Sequence, residues 1–377
     1  MTSLPNPIAG FEDWPDAVRR LGKHPGHNAA SAELAQALGV PGPVPTPPVT
    51  VHRTSVIDGV ELQELGWELP YGPPTKGYLL KPVRAQHELP GVLWLHCHGG
   101  NKWLGAERLI DAGDENNGET SAEVTAVQQN LYSGHAVAND LARAGFAVLV
   151  HDSFTWGSRR FVLDPPPARV AEGLAARRAL WREEGAQPTP AMEYNAAAAL
   201  HEHTLAKIAG LLGTSYAGMV ALEDLAALEV LRNLPGVENG RVGVGGFSGG
   251  GGRALVLSAL APEVRAAVVC CMMTTFEGLF PSHADTHSWL LATPGLAGTF
   301  DWPELAAINT ACRYLVQYGR HDPLFTSDGM HDADALLAAL TTSEPGRYTG
   351  SWYDAGHVVT PEMLREFISY LAVSLQH

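Results

Sequence analysis

Five short apolar runs recur along the chain, and each is nearly continuous instead of alternating with polar residues. They lie in the segments "GVLWLHCHGG", "GFAVLVHDS", "RVGVGGFS", "RAAVVCCMM" and "CRYLVQYGRHD". Continuous runs of this length indicate strands that are buried on both faces, as in a parallel sheet. Helix-compatible stretches separate most of them. The pattern therefore predicts an α/β fold with a mostly parallel central sheet flanked by helices.

A different pattern precedes these runs, between Val49 and Pro82. The stretches "VTVHRTSVI", "LGWEL" and "KGYLL" mix β-branched and aromatic residues with alternating polar ones. Turn signals such as Asp58-Gly59 and "YGPP" separate them. This pattern predicts antiparallel strands at one edge of the same sheet.

The remaining segments predict two additions to the main domain. Residues 1–48 are typical of a helical arm that ends in the proline-rich connector "PGPVPTPP", which leaves 49–377 as the α/β domain. The chain between about 155 and 212 is too long for a single crossover, and it carries two helical stretches. We expect these stretches to form a helical insertion that covers one face as a partial lid.

Composition and charge narrow the classes of partner. The 377 residues carry a formal net charge of −15, which argues against nucleic acid or an anionic membrane because both need clustered cations. The four cysteines show neither zinc-ligand spacing nor a disulfide framework, so reduced thiols are the simplest interpretation. The first residues lack a secretion signal, and no apolar run reaches membrane length. We expect a cytoplasmic protein with no nucleic-acid or membrane partner, and the sequence leaves homo-oligomer formation open.

The glycine-rich stretch "RVGVGGFSGGGGRA" at 241–254 fits two kinds of site. A dinucleotide fingerprint, G-x-G-x-x-G, is disfavoured in both possible alignments. If it starts at Gly243, its third glycine position falls on Ser248, and if it starts at Gly249, it begins too late after the strand. The next strand also lacks an acidic residue for a ribose hydroxyl. A nucleophile elbow fits directly, since Gly246-Phe247-Ser248-Gly249-Gly250 is G-x-S-x-G between an apolar strand and a helical stretch. Ser248 is therefore the candidate nucleophile, against the alternative of an ordinary glycine-rich turn.

A serine nucleophile needs a base, and the base needs an orienting carboxylate. His357 lies in "AGH" after a predicted strand, and Asp322 lies in "GRHDPLF" just past another. The chain order Ser248, Asp322, His357 is the one that the G-x-S-x-G hydrolases use. A turn-capping aspartate and a surface histidine are the ordinary alternatives. Three other carboxylates compete with Asp322 for the role: Asp354, Glu277 and Asp285.

The stretch "HGGN" after the first parallel strand is a candidate oxyanion loop. Its glycines leave backbone amides free to point into the site, against the alternative of an ordinary strand-to-helix turn. We assign the backbone amides of Gly100 and Gly249 as the two oxyanion donors.

Other residues have more than one interpretation. Trp103 and Met272 are candidates to line the substrate pocket, although core packing is the default for both. Arg159 follows a strand and can bind a substrate carboxylate, but a salt bridge to the insertion is favoured. The H-x-H pairs at 96–98 and 201–203 have poor spacing for a metal, because the second pair lies in a helical stretch. We expect no metal and no cofactor.

The segments "HGGNKW", "VLVHDSFTWGSRR", "GGFSGGG", "GRHDPLF" and "AGH", in this order over about 90–360, resemble the α/β-hydrolase superfamily. The chain is most similar to its dienelactone-hydrolase-related and acetyl-xylan-esterase-like group. The resemblance implies a triad of Ser248, Asp322 and His357 that hydrolyses a small-molecule carboxylic ester through an acyl-enzyme. Dienelactone hydrolases carry a cysteine at the elbow, so Ser248 favours a general esterase. A peptidase or C–C bond hydrolase on the same triad is the alternative, followed by a non-catalytic binding protein.

Overall fold

A computed structural model describes residues 5–85, 87–113, 121–280 and 282–376. Within these residues, nine strands form one sheet in the spatial order β1-β2-β3-β5-β4-β6-β7-β8-β9. Their bounds are β1 Thr50–Ile57, β2 Val60–Trp67, β3 Thr75–Pro82, β4 Leu89–Leu95, β5 Ala147–His151, β6 Val237–Phe247, β7 Val264–Cys270, β8 Arg313–Gly319 and β9 Tyr348–Tyr353.

The direction of the strands follows the two sequence patterns. Strands β1 to β3 pair antiparallel with one another, and β3 pairs antiparallel with β5. All pairs from β5 across to β9 are parallel. Every residue of β5 is buried, whereas buried and partly exposed residues mostly alternate along β2. The predicted α/β fold with a mostly parallel central sheet is confirmed.

Ten helices surround the sheet in the described part of the chain. Their bounds are α1 Trp14–Leu21, α2 Ala29–Leu38, α3 Ser121–Tyr132, α4 Val137–Arg143, α5 Ala168–Glu183, α6 Pro190–Leu211, α7 Tyr216–Asn233, α8 Gly249–Leu260, α9 Ser327–Leu340 and α10 Pro361–Ser374. Neighbouring residues of one strand belong to opposite cores: Leu93 packs with the cluster that contains Leu228, and Val92 with the one that contains Phe367. The sheet is thus covered on both faces.

The N-terminal segment and the insertion meet in a third apolar cluster beside the sheet. Phe11 stacks on Phe161 with a centroid separation of 4.1 Å, and the Trp14 indole Nε1 donates to the Met219 sulfur. Helix α6 begins at Pro190 behind an N-cap at Thr189, whose side chain accepts from the Met192 amide. Its C-terminal part packs against α7. The insertion is therefore held to the body of the domain at this cluster.

Among the described helices, none is by itself long and apolar enough to cross a membrane. Only α6 and α7 taken together pass on length and composition, and they are bent by 84° with respect to each other.

Candidate active site

Ser248 occupies a sharp turn between β6 and α8. Its backbone has φ 56°, in the left-handed region that residues with a side chain rarely adopt. A Cβ on Gly250 would lie 2.2 Å from the Leu95 carbonyl oxygen, and one on Gly246 would lie 2.5 Å from the Gly250 carbonyl. The glycines on either side are therefore required by the close crossing of strand and helix. This strained turn exposes the Ser248 hydroxyl at the carboxyl end of the sheet.

The structure brings the three predicted triad side chains into one hydrogen-bonded chain. His357 Nε2 lies 2.8 Å from Ser248 Oγ, and His357 Nδ1 lies 2.7 Å from Asp322 Oδ2. The other carboxylate oxygen of Asp322 accepts from the Leu324 amide at 2.9 Å. Because a carboxylate at Nδ1 favours a proton there, Nε2 keeps the lone pair that can accept the serine proton. The arrangement is that of a nucleophile, a base and an orienting acid.

The competing carboxylates lie elsewhere. Asp354 bonds to His321 at 2.6 Å, and both side chains are exposed. Glu277 and Asp285 lie in short 3₁₀ turns after β7. Among the described residues, the carboxylate that contacts His357 is Asp322.

A cavity of about 350 Å³ opens above Ser248, and Met272 lies in its wall. Its other apolar lining residues are Leu131, Phe247, Leu290, Leu291, Leu324 and Phe325. Trp103 lies instead in a separate cavity of about 870 Å³, where the Arg160 guanidinium sits 4.1 Å from its ring centroid. The assignment of Trp103 to the pocket around Ser248 is therefore wrong, because the 101–103 turn directs the indole toward the insertion.

The assignment of Arg159 to substrate binding is also wrong. Its side chain is fully buried and forms an ion pair with Glu223 of α7 at 2.6 Å. It also donates to the Tyr71 carbonyl at 3.0 Å. These contacts tie the turn after β5 to α7 and to the segment before β3, so the guanidinium cannot reach a ligand. The favoured alternative, a salt bridge to the insertion, is wrong as well, because Glu223 lies on α7.

The two predicted oxyanion donors differ. The Gly249 amide, at the first residue of α8, has no hydrogen-bond acceptor among the described residues. The Gly100 amide donates to Nδ1 of His98 at 3.1 Å. Gly99 and Gly100 both have positive φ, 58° and 62°, which turns the loop back onto its own histidine. The expectation of a free Gly100 amide is therefore wrong for this state of the site.

One functional candidate was not singled out by the sequence: Glu202 of α6. Its Oε2 lies 3.0 Å from His98 Nε2 and forms an ion pair with Lys102. Its Oε1 accepts from Ser288 Oγ at 2.7 Å and from the Trp289 amide at 3.1 Å. Burial alone raises the pKa of Glu202, but the Lys102 cation and the His98 hydrogen bond hold it well below the usual range. The only signal in the sequence was the polar triplet at 201–203 inside an apolar helix.

The geometry also bears on metal chemistry. Among the residues that the structure describes, no group of three or more histidine, cysteine, aspartate or glutamate side chains is arranged to hold a metal ion. The four cysteines are buried, and none of them forms a disulfide.

Fold and site together define the class as an α/β-hydrolase. The sequence model of the dienelactone hydrolase family matches residues 124–358, which is more than half of the chain. The chain therefore belongs to the dienelactone hydrolase family and is by class a carboxylic ester hydrolase.

Individual relatives are distant. The protein YtaP of Bacillus subtilis (strain 168) is 23% identical over 300 residues, which cover 78% of this chain and 81% of YtaP. A glucuronoyl esterase from Solibacter usitatus has a TM-score of 0.60 at 12% identity, covering 99% of this chain and 98% of its own. An acetyl xylan esterase from Paenibacillus sp. R4 has a TM-score of 0.53 at 15% identity, covering 96% and 99%. At these identities the two structures show the shared fold.

Proposed function

We propose that this protein is a serine esterase that cleaves small-molecule carboxylic esters with a short acyl group through an acyl-enzyme. The observation that carries the proposal is the aligned chain of Ser248, His357 and Asp322, with separations of 2.8 and 2.7 Å. These distances lie within hydrogen-bond reach, as transfer of the serine proton to the imidazole requires.

The reaction follows from this geometry in two halves. His357 Nε2 takes the Ser248 proton while Oγ attacks the ester carbonyl, and Asp322 stabilises the imidazolium that forms. The amide of Gly249 faces the charge that develops on the carbonyl oxygen. The imidazolium then gives its proton to the departing alkoxide, which leaves an acyl-serine. In the second half, His357 activates a water that attacks the acyl carbon, and the acid departs with Ser248 regenerated.

The size and lining of the cavity support a short acyl group. Its volume of about 350 Å³ is at the small end of the range for ligand pockets, about 300–1,000 Å³. Apolar side chains such as Met272 and Leu290 form much of its wall. The similar structures of an acetyl xylan esterase and a glucuronoyl esterase are consistent with ester substrates.

Labelling with a fluorophosphonate probe tests the nucleophile. Ser248→Ala should abolish labelling and ester turnover without unfolding the protein, since alanine adds no bulk to the elbow. Ser258→Ala is the matched control, because Ser258 is a buried serine near the end of the same helix. It should label like the wild type. Unchanged turnover in folded Ser248→Ala would end the proposal.

A panel of nitrophenyl esters with rising acyl length, together with an anilide, tests the substrate class. We expect kcat/KM to be highest for acetate or propionate and to fall for octanoate. Faster cleavage of the anilide than of the acetate would favour the peptidase alternative instead.

A further inference from the structure

The insertion places one carboxylate, Glu202, behind two residues that line the cavity around Ser248: it contacts His98 and Ser288. Its side chain is only 7% exposed, and the Lys102 ammonium, the Ser288 hydroxyl and the Trp289 amide hold both of its oxygens. A carboxylate fixed by this many donors has one orientation. It therefore presents a fixed acceptor to His98.

That acceptor determines which nitrogen of His98 carries the proton. Glu202 Oε2 lies 3.0 Å from Nε2, so Nε2 is the donor. Nδ1 then has a free lone pair, and it accepts the Gly100 amide at 3.1 Å. The opposite tautomer would place an N–H against the Gly100 N–H. The direction of this amide thus depends on a side chain 104 positions from His98 in the sequence.

The loop that carries this amide lies against the nucleophile. A Cβ on Gly249 would lie 3.1 Å from the His98 backbone nitrogen, so His98 and the elbow are in close contact. Gly100 and Ser248 line the same cavity. A neutral imidazole nitrogen is a weaker acceptor than an oxyanion, because charge-assisted hydrogen bonds are roughly twice as strong. His98 can therefore hold the amide in the resting site and yield it as negative charge develops.

We propose that Glu202 is a positioning residue for ester cleavage, which acts through His98 to hold the Gly100 amide ready for the oxyanion. This inference rests on the proposed esterase function. It assigns to helix α6 of the insertion a part in catalysis.

Glu202→Gln is the direct test, because glutamine keeps the shape but loses the charge and one of the two acceptor oxygens. If the amide is used only in the transition state, kcat should fall about 10- to 100-fold while KM changes less than about threefold. The rate of fluorophosphonate labelling should fall in parallel.

Two other carboxylates serve as matched controls. Glu193 lies on the same helix and pairs with exposed Arg178, so Glu193→Gln should leave kcat unchanged. Glu223 is also buried, with 1% of its side chain exposed, and pairs with Arg159. Glu223→Gln should lower the melting temperature but leave kcat of the folded protein within about twofold of wild type.

A double-mutant cycle with His98→Ala tests whether Glu202 acts through His98 or supports the site in another way. If Glu202 acts through His98, adding Glu202→Gln to His98→Ala should cost less than about threefold in kcat. Multiplicative losses would overturn the inference, because Glu202 would then act by another route.

Should Glu202→Gln fail to fold, the ¹⁵N spectrum of the wild-type protein is a second test: a His98 ring protonated at Nδ1 would contradict the proposal. Wild-type kcat in Glu202→Gln with an inactive Ser248→Ala would refute this inference alone, whereas an active Ser248→Ala would refute the esterase itself.

Discussion

Two histidine–aspartate pairs arise from the same two loops, and only one of them meets Ser248. His321 and Asp322 follow β8, and Asp354 and His357 follow β9. The pairs cross between the loops: Asp322 bonds to His357 at 2.7 Å, and His321 bonds to Asp354 at 2.6 Å. The first pair has side chains that are 0% and 15% exposed, the second 69% and 88%.

The backbone explains why neighbouring residues take opposite directions. Strands β8 and β9 are parallel and end in register, with Gly319 opposite Tyr353. The His321 amide donates to the Ala355 carbonyl, which fixes the turn after β8. Asp322 then points toward the sheet edge where Ser248 lies, and His321 points into water. Identical chemical pairs therefore differ in function because of their position relative to the elbow.

The strongest test of this comparison is Asp322→Asn. The amide keeps the shape of the carboxylate but cannot stabilise the imidazolium or hold the same tautomer of His357. The corresponding change in other serine triads costs about 10⁴ in kcat, so we expect a loss of about three to five orders of magnitude. Steady-state kinetics on nitrophenyl acetate measure it. A kcat within tenfold of wild type would show that another carboxylate is the acid.

A second test addresses the elbow, which places Ser248 next to the Asp322–His357 pair and away from the His321–Asp354 pair. In Gly250→Ala, the new Cβ would lie 2.2 Å from the Leu95 carbonyl oxygen, so strand and helix must separate. Overpacking of this kind costs about 1–3 kcal/mol, and we expect a lower melting temperature together with reduced kcat.

Gly210→Ala is the matched control for this change. A Cβ there meets nothing within 4 Å, and the position is in the last turn of α6. Thermal melts should show equal or higher stability, because alanine is the better helix former. An unaltered melting temperature in Gly250→Ala would mean that Gly250 and the Leu95 carbonyl lie farther apart than they do in the structure.

The sequence was sufficient for the parts of the site that local pattern determines. The elbow is visible as five consecutive residues around Ser248, and the order of Ser248, Asp322 and His357 follows the order of the strands. The Gly100 amide could not be placed in this way, because its direction depends on His98 and on Glu202 of the insertion. The same holds for Arg159, whose partner Glu223 lies 64 positions away. Long-range pairing between polar side chains leaves no periodic signal in a single sequence.

The smallest expected effect is at the second histidine–aspartate pair. Asp354→Asn removes one partner of an ion pair whose two side chains are mostly exposed, 69% for His321 and 88% for Asp354. Exposed pairs contribute about 0–1 kcal/mol to stability because water screens the charges and the side chains lose entropy on pairing. We therefore expect less than about 1 kcal/mol of destabilisation in urea melts and a kcat within about twofold of wild type. A loss of tenfold or more in kcat would mean that the exposed pair supports the turn that directs Asp322 to His357, and that the two pairs are mechanically coupled.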